Sequence, residues 1–227
     1  ISSRLREKLS PATVNKDIRT LKAIFNVAIN PRCYLPEGSN PFEKIKQRKL
    51  AEKDPRYIAP EEFAEIFKAA GNLWWQTFLS VGYTTAGRRD ELLNLTWSDI
   101  DFENQNISFS PKDASKKILS WEPKDHESRT IPIPEEVASL LAKFQTDCDE
   151  GNPYLFIKTN RLTHILHRRK IGTWEDDFEL INNLIRSLEV ICNRAKIEPF
   201  TPHDLRRSCI TNWAKKGDDA SAQFLLA

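Results

Sequence analysis

Two arginines, a lysine, a histidine and a glutamate are spaced so that they could act together on a phosphate ester. Arg88 opens the run Arg88-Arg89-Asp90-Glu91-Leu92-Leu93, and Arg206 closes the run His203-Asp204-Leu205-Arg206. Each run lies where a helix is expected to begin, and the free N–H groups and dipole of a helix N-terminus attract an anion. A guanidinium can donate two parallel hydrogen bonds to one phosphate and does not lose its proton. Glu91, one turn beyond Arg88, is placed to hold that guanidinium. His203 shares a helix face with Arg206 and can move a proton near neutral pH. Lys124, in Pro123-Lys124-Asp125-His126, stands just before an expected hairpin turn, from which an ammonium can swing into a cleft and protonate a leaving alkoxide. Each motif alone has a plainer reading. Arg88 and Glu91 could be an exposed (i, i+3) pair worth roughly 0.2–0.5 kcal/mol. His203 could be a partly buried residue of a capped helix. Lys124 could be a surface lysine, with Lys112, Lys116 and Lys117 as competitors in the same long loop.

The elements that must position these residues are legible from pattern. Ser10-Pro11 reads as an N-cap followed by proline at the first helical position. Val14, Ile18, Leu21, Ile24, Phe25, Ala28 and Ile29 then recur at helical spacing, predicting a helix from 11 to 29. Pro36 to Pro41 is turn chemistry, and a polar stretch from Lys44 to Pro60 reads as a linker. This predicts a helical segment over 1–52 and a larger domain over 53–227. In the larger domain, helices are expected at 60–70, 73–83 and 88–97. Strand-like runs come next, at 107–110, 118–121 and 129–133. Further helices are expected from 134, from 176 to 195, and from 202 to 216. The predicted class is mainly α with a small antiparallel β-sheet (α+β).

Charge is distributed unevenly. Residues 1–50 carry eleven Lys/Arg against four Asp/Glu, whereas the whole chain has a net charge of only +2. Lys16, Arg19, Lys22, Lys44, Lys46, Arg48 and Lys49 are therefore candidates for contact with DNA. A solvated helical face fits the charge equally well. No apolar run approaches the roughly 18 residues of a membrane span, and the first residues contain no signal-peptide h-region. Cys33, Cys148, Cys192 and Cys209 are far apart, which favours free thiols and a cytoplasmic setting. The histidines, at 126, 164, 167 and 203, form no metal-ligand spacing, and no metal or cofactor is expected. His164 and His167 share a helical face and read as surface residues. A helical scaffold for protein partners is a further reading, disfavoured by the basic first fifty residues.

In combination, these motifs resemble the tyrosine recombinases, the phage-integrase family. Thr85-Ala86-Gly87-Arg88-Arg89-Asp90-Glu91-Leu92 is similar to the family's first arginine box, and Trp97-Ser98-Asp99-Ile100-Asp101 is typical of the stretch after that box. The lysine hairpin ends in the expected Ser128-Arg129-Thr130-Ile131-Pro132-Ile133, and His203-Asp204-Leu205-Arg206-Arg207-Ser208 is the most specific piece. Residues 10–50 resemble the end of the core-binding domain, so the likeness covers nearly the whole chain. It implies a site-specific recombinase or integrase that cuts and rejoins double-stranded DNA through a 3′-phosphotyrosyl bond. Arg88 and Arg206 would clamp the scissile phosphate, Lys124 would protonate the departing 5′-oxygen, and His203 would assist proton transfer at a tyrosine. It also implies a homo-tetramer on paired DNA sites.

The chain departs from that pattern in two places. Its tyrosines are Tyr34, Tyr57, Tyr83 and Tyr154, and none comes after His203. Gly87 abuts Arg88, where the family has an apolar residue between them. The chain also contains no methionine. We therefore expect residues to be missing: a methionine before Arg88, part of the N-terminal segment, and residues after about 216, with 219–223 forming a helix beyond the tyrosine. The competing expectation is a catalytically inactive DNA-binding relative that keeps the phosphate pocket. A type IB topoisomerase would share the chemistry and differ by relaxing DNA without strand exchange.

Overall fold

The computed structural model describes residues 9–51, 54–174, 180–181 and 183–215. The residues expected to be a helix at 219–223, and the start of the helix expected from 176, lie outside the described residues. The chain divides into two compact units, Ile1–Asp54 and Pro55–Ala227.

In the first unit, helix α1 spans Pro11–Ile29. Ser10 accepts a hydrogen bond from the Thr13 N–H at 3.1 Å, supplying the N-cap that the sequence announces. The chain then folds back along the helix and is pinned by asparagines. Asn15 donates to the Arg48 carbonyl at 2.8 Å and accepts from the Arg48 N–H at 2.9 Å. Asn40 donates to Asn26 Oδ1 at 2.7 Å, and Phe42 packs on Phe25 with ring centroids 5.3 Å apart. Val14 and Ile18 are buried, while Leu21, Ile24 and Val27 stay exposed. The apolar face read from periodicity is thus covered only along its first half.

In the second unit, α2 (Pro60–Ala69), α3 (Leu73–Thr85) and α4 (Arg89–Leu93) precede a three-stranded antiparallel sheet. Its strands are β1 (Ile100–Asp101), β2 (Asn106–Phe109) and β3 (Arg129–Pro132). Ile107 faces Ile131 and Phe109 faces Arg129 across β2 and β3. Helices α5 (Glu135–Thr146), α6 (Thr159–Lys170), α7 (Leu184–Ala195) and α8 (Pro202–Lys215) complete the order. Helix α3 packs against α2, α5 and α8, and α2 packs against α7. Apolar nearly all round, α3 has the pattern of a core helix. Phe78 and Val81 point into one apolar cluster with the sheet, and Leu79 into another with Ile191 and Leu205. The mainly helical class with one small antiparallel sheet is what the structure shows.

Four elements differ from the sequence expectation. The helix expected over 176–195 is α7, which begins only at Leu184 after a left-handed Asn183, with residues 180–181 in a bend. The helix expected over 88–97 is α4 alone, succeeded by a 3-10 turn at Trp97–Asp99. Asp99 takes over the chain there, accepting from the Thr96 N–H at 2.6 Å and the Thr96 hydroxyl at 2.7 Å. The run 118–121 forms no strand. Among the described residues its one β-bridge is Trp121 to Lys112, and Ser115 and Ile118 hydrogen-bond across the turn before it. Its backbone is satisfied elsewhere, with the Leu119 N–H donating to the Tyr154 hydroxyl at 2.8 Å. Helix α6, which carries His164 and His167, was not expected as an element. Among its residues only Leu162 and Ile165 are buried, too few to print a periodic signal. None of the described helices is long and apolar enough to cross a membrane.

Candidate functional site

The site is assembled where α3 ends and α4 begins, with α8 packed along α3. Helix α3 stops at Ala86, whose backbone is left-handed (φ 50, ψ 29). Gly87 comes next, in a tight place, since a Cβ there would lie 2.6 Å from Leu92 Cδ2. Only a residue without a side chain lets α4 press this closely on the turn. Arg88 is then the N-cap of α4. Its N–H donates to Glu91 Oε2 at 2.7 Å, and its Nη1 donates to Glu91 Oε1 at 3.0 Å. Glu91 is 2% exposed.

Glu91 also binds Arg129 of β3, which the sequence motif contained but to which no role was given. Arg129 Nη1 donates to Glu91 Oε1 at 3.0 Å, and its Nη2 donates to Glu91 Oε2. The Arg129 guanidinium lies over the Phe109 ring, 4.5 Å from its centroid. A buried carboxylate is thus clasped by two guanidiniums, one of which fixes it to the sheet. Burial would raise the Glu91 pKa, but the hydrogen bonds from Arg129 and from Arg88 outweigh it and hold the group below the usual range. The available signal for Arg129 was its place at the foot of a strand, in register with the apolar Ile131. Sequence alone does not reveal which carboxylate lies beneath it.

Arg206 arrives from α8. The helix opens on Thr201, whose N–H and hydroxyl both donate to Asp204 Oδ2, at 2.8 and 2.7 Å. Ser208 donates to the Asp204 carbonyl and accepts from the Ile58 N–H, fixing the helix within the unit. Arg206 is 7% exposed and its Nη1 donates to the Ala86 carbonyl. Burial lowers its pKa, and the nearby positive charge of Arg88 lowers it further. The Ala86 carbonyl that Arg206 meets is two residues before Arg88, so the two arginines come to the same turn although they lie 118 positions apart in the sequence. Arg88 has the opposite balance: burial works against its charge, but Asp125 and Glu91 outweigh burial and raise its pKa.

The remaining candidates fall around this pair. His203 is exposed, one turn before Arg206. Lys124 is exposed and makes no hydrogen bond or ion pair among the described residues. Two of its competitors are committed elsewhere: Lys112 is buried against Asp99 at 2.8 Å, and Lys117 donates to the Gly151 carbonyl at 2.7 Å, while Lys116 is exposed like Lys124. Asp125, next to Lys124, pairs with Arg88 Nη1 at 2.6 Å, a contact that the sequence did not announce. On the first unit, Lys16, Arg19, Lys44, Lys46, Arg48 and Lys49 are exposed. Lys22 is half-buried and donates to the Glu43 carbonyl at 2.9 Å, so part of its capacity is spent on the fold. The tyrosines of the second unit are tied into the structure. Tyr154 is fully buried, and Tyr83 donates to the Ile58 carbonyl at 3.0 Å. Burial pushes the Tyr83 hydroxyl up to about 12, the opposite of what a nucleophile needs. Among the described residues no cluster of His, Cys, Asp or Glu could hold a metal ion.

The family model described as "Phage integrase family" matches residues 56–227, a span that contains every residue of this pocket. The chain belongs to the phage integrase family. Among curated relatives, this integrase-family chain is 25% identical to the ICEBs1 integrase of Bacillus subtilis (strain 168), over 93% of the chain and 56% of the relative. It is 27% identical to a tyrosine recombinase of Thermosipho africanus (strain TCF52B), over 90% of the chain and 63% of the relative. The chain thus spans somewhat over half the length of these two proteins. Its fold matches the Tn1549 transposon integrase in complex with a circular intermediate DNA, with a TM-score of 0.71 and 23% identity over 98% of this chain and 73% of that one. It also matches a lambda integrase dimer bound to a COC' core site, with a TM-score of 0.69 and 17% identity over 99% of this chain and 58% of that one.

Proposed function

We propose that this phage integrase family member is the DNA-cleaving part of a site-specific recombinase, breaking and rejoining double-stranded DNA through a 3′-phosphotyrosyl intermediate. The observation that carries this reading is the convergence of Arg88 and Arg206 on one turn, with Arg206 Nη1 donating to the Ala86 carbonyl two residues before Arg88. Two guanidiniums brought together can each donate to the same phosphate.

In this mechanism a tyrosine oxygen attacks the phosphorus and the P–O5′ bond breaks. Arg88 and Arg206 offset the charge on the equatorial oxygens as it develops. Lys124 gives its proton to the departing 5′-oxygen, and His203 assists proton transfer from the tyrosine hydroxyl. Glu91 and Arg129 hold Arg88 in place. The phosphotyrosyl bond retains the energy of the phosphodiester, so rejoining needs no nucleotide cofactor. Tyr34, Tyr57, Tyr83 and Tyr154 are not assigned the nucleophilic role. Lys16, Arg19, Lys44, Lys46, Arg48 and Lys49, with Lys22 in a smaller part, would contact the duplex from the first unit. A homo-tetramer on paired sites fits this chemistry, and a lambda integrase tetramer bound to a Holliday junction is among the structures of the same fold.

The test is a nicked suicide duplex incubated with the full-length protein. A covalent protein–DNA adduct resistant to denaturation is expected. Salt-sensitive DNA binding with no adduct on any cognate site would overturn the enzymatic reading and leave a DNA-binding protein.

A further inference from the structure

The pocket contains a second carboxylate that the proposed reaction does not use. Asp125 Oδ2 lies 2.6 Å from Arg88 Nη1, the same nitrogen that reaches Glu91. The two carboxylates differ in character. Glu91 is sealed in at 2% exposure, whereas Asp125 is 42% exposed and stands on the open side of Arg88. Asp125 and a phosphodiester each carry one negative charge, so exchanging one for the other leaves the charge beside Arg88 unchanged.

The placement of Asp125 in the chain adds a second consequence. It comes directly after Lys124, within a turn that the His126 N–H closes on the Pro123 carbonyl at 2.9 Å. His126 is left-handed (φ 56) and pairs with Glu122 at 2.9 Å, so one side of the turn is pinned by its own residues. Pro123 is buried, and residues 124–128 are exposed. Among the described residues, the ion pair to Arg88 is the side-chain contact that joins the tip of this turn to α4. Displacing Asp125 from Arg88 would remove that contact from the segment that carries Lys124.

We propose that Asp125 is an internal stand-in for the phosphate, competing with a DNA backbone phosphate for Nη1 of Arg88, and that its displacement releases the Lys124 turn. The proposal rests on reading Arg88 and Arg206 as the phosphate clamp. An exposed carboxylate is a suitable competitor, because an ion pair open to solvent is weak enough to yield to a multiply bonded phosphate. Seated, it withholds Arg88 from ions and from phosphates that arrive without the second arginine.

The experiment compares binding of a duplex DNA of fixed sequence, by fluorescence anisotropy at low salt, among the full-length protein, Asp125→Asn and Glu127→Gln. Glu127 is exposed in the same loop, so its substitution makes the same charge change without touching Arg88. We expect Asp125→Asn to tighten binding by up to about fivefold. Glu127→Gln should change it less, and the Asp125 effect should vanish in an Arg88→Lys background. Equal effects of Asp125→Asn and Glu127→Gln, or an Asp125 effect that persists in Arg88→Lys, would overturn the proposal and leave only diffuse electrostatics. A second readout does not depend on the Arg88 variant: the Arg88 side-chain N–H resonance should respond to inorganic phosphate at lower concentration in Asp125→Asn than in wild type. No difference in that titration would also overturn it. If instead Arg206→Ala leaves duplex binding, phosphate titration and adduct formation all unchanged, the clamp reading itself has failed, an outcome distinct from the failure of Asp125 alone.

Discussion

The two ends of the pocket are built on opposite principles. At one end, Arg88 caps a short helix, is one-third exposed, and is flanked by Glu91 and Asp125, which raise its pKa. At the other end, Arg206 is buried, rests on the Ala86 carbonyl, and has its pKa lowered by burial and by Arg88. Arg88 is held by a scaffold of side chains reaching through Glu91 to Arg129 on the sheet, whereas Arg206 is fixed by the seating of its own helix, through Ser208 on the Ile58 N–H and its own contact with Ala86.

This contrast can be broken from its stronger side first. Arg206→Ala should lower formation of a covalent adduct by about a thousandfold while leaving most duplex binding in place, as loss of a positioned transition-state donor does. Adduct formation at the wild-type rate would remove Arg206 from the mechanism. On the scaffold side, Glu91→Gln strips a buried carboxylate from two guanidiniums. It should cost about 3–5 kcal/mol of stability in urea unfolding, the range for a broken buried ion pair. A loss no larger than that of a surface substitution would mean that Arg88 does not depend on Glu91.

The same pair sets a pH dependence. The folded-state pKa of Glu91 is depressed, so its contribution is complete above its unfolded value, about 4.3. It is lost as pH falls through the lower folded value. The stability gap between wild type and Glu91→Gln should therefore narrow on acidification below about 4.3, read from melting curves across pH. A constant gap would show that the two arginines do not stabilise its charge. The smallest effect is expected at the hinge between the two ends. Gly87→Ala would force a Cβ against the buried Leu92 side chain, at a cost of about 1–3 kcal/mol. A neutral outcome would show that α4 can shift without disturbing the pocket.

How far the sequence could be read depended on the range of the forces involved. Helix α1 was legible over 11–29 because its cap, its first-turn proline and its apolar spacing are all local. The helix carrying His203 and Arg206 was legible for the same reason. The run 118–121 has the composition of a strand but pairs at one position alone, Trp121 with Lys112, while Tyr154 and loop groups meet the rest of its backbone, and β propensity means little without a continuous partner. Helix α6 was missed because it hides only Leu162 and Ile165. In the pocket, Arg88 and Glu91 could be paired by their spacing. Arg129 and Asp125 could not, since each meets its partner across a loop whose path the sequence does not state.

By itself, then, the sequence determined which side chains carry charge, which helices start at Pro11 and Pro202, and that Arg88 and His203-x-x-Arg206 stand at helix beginnings. Capping, periodicity and (i, i+3) spacing act within one turn and need nothing from elsewhere. Only the tertiary structure decided that Arg206 would be buried against Ala86, that Glu91 would face Arg129, and that Asp125 would sit on Arg88. Those outcomes turn on how α3, α8 and the sheet pack, and the burial that packing imposes sets the surroundings against the charge of Arg206 and makes Glu91 a fixed counter-ion.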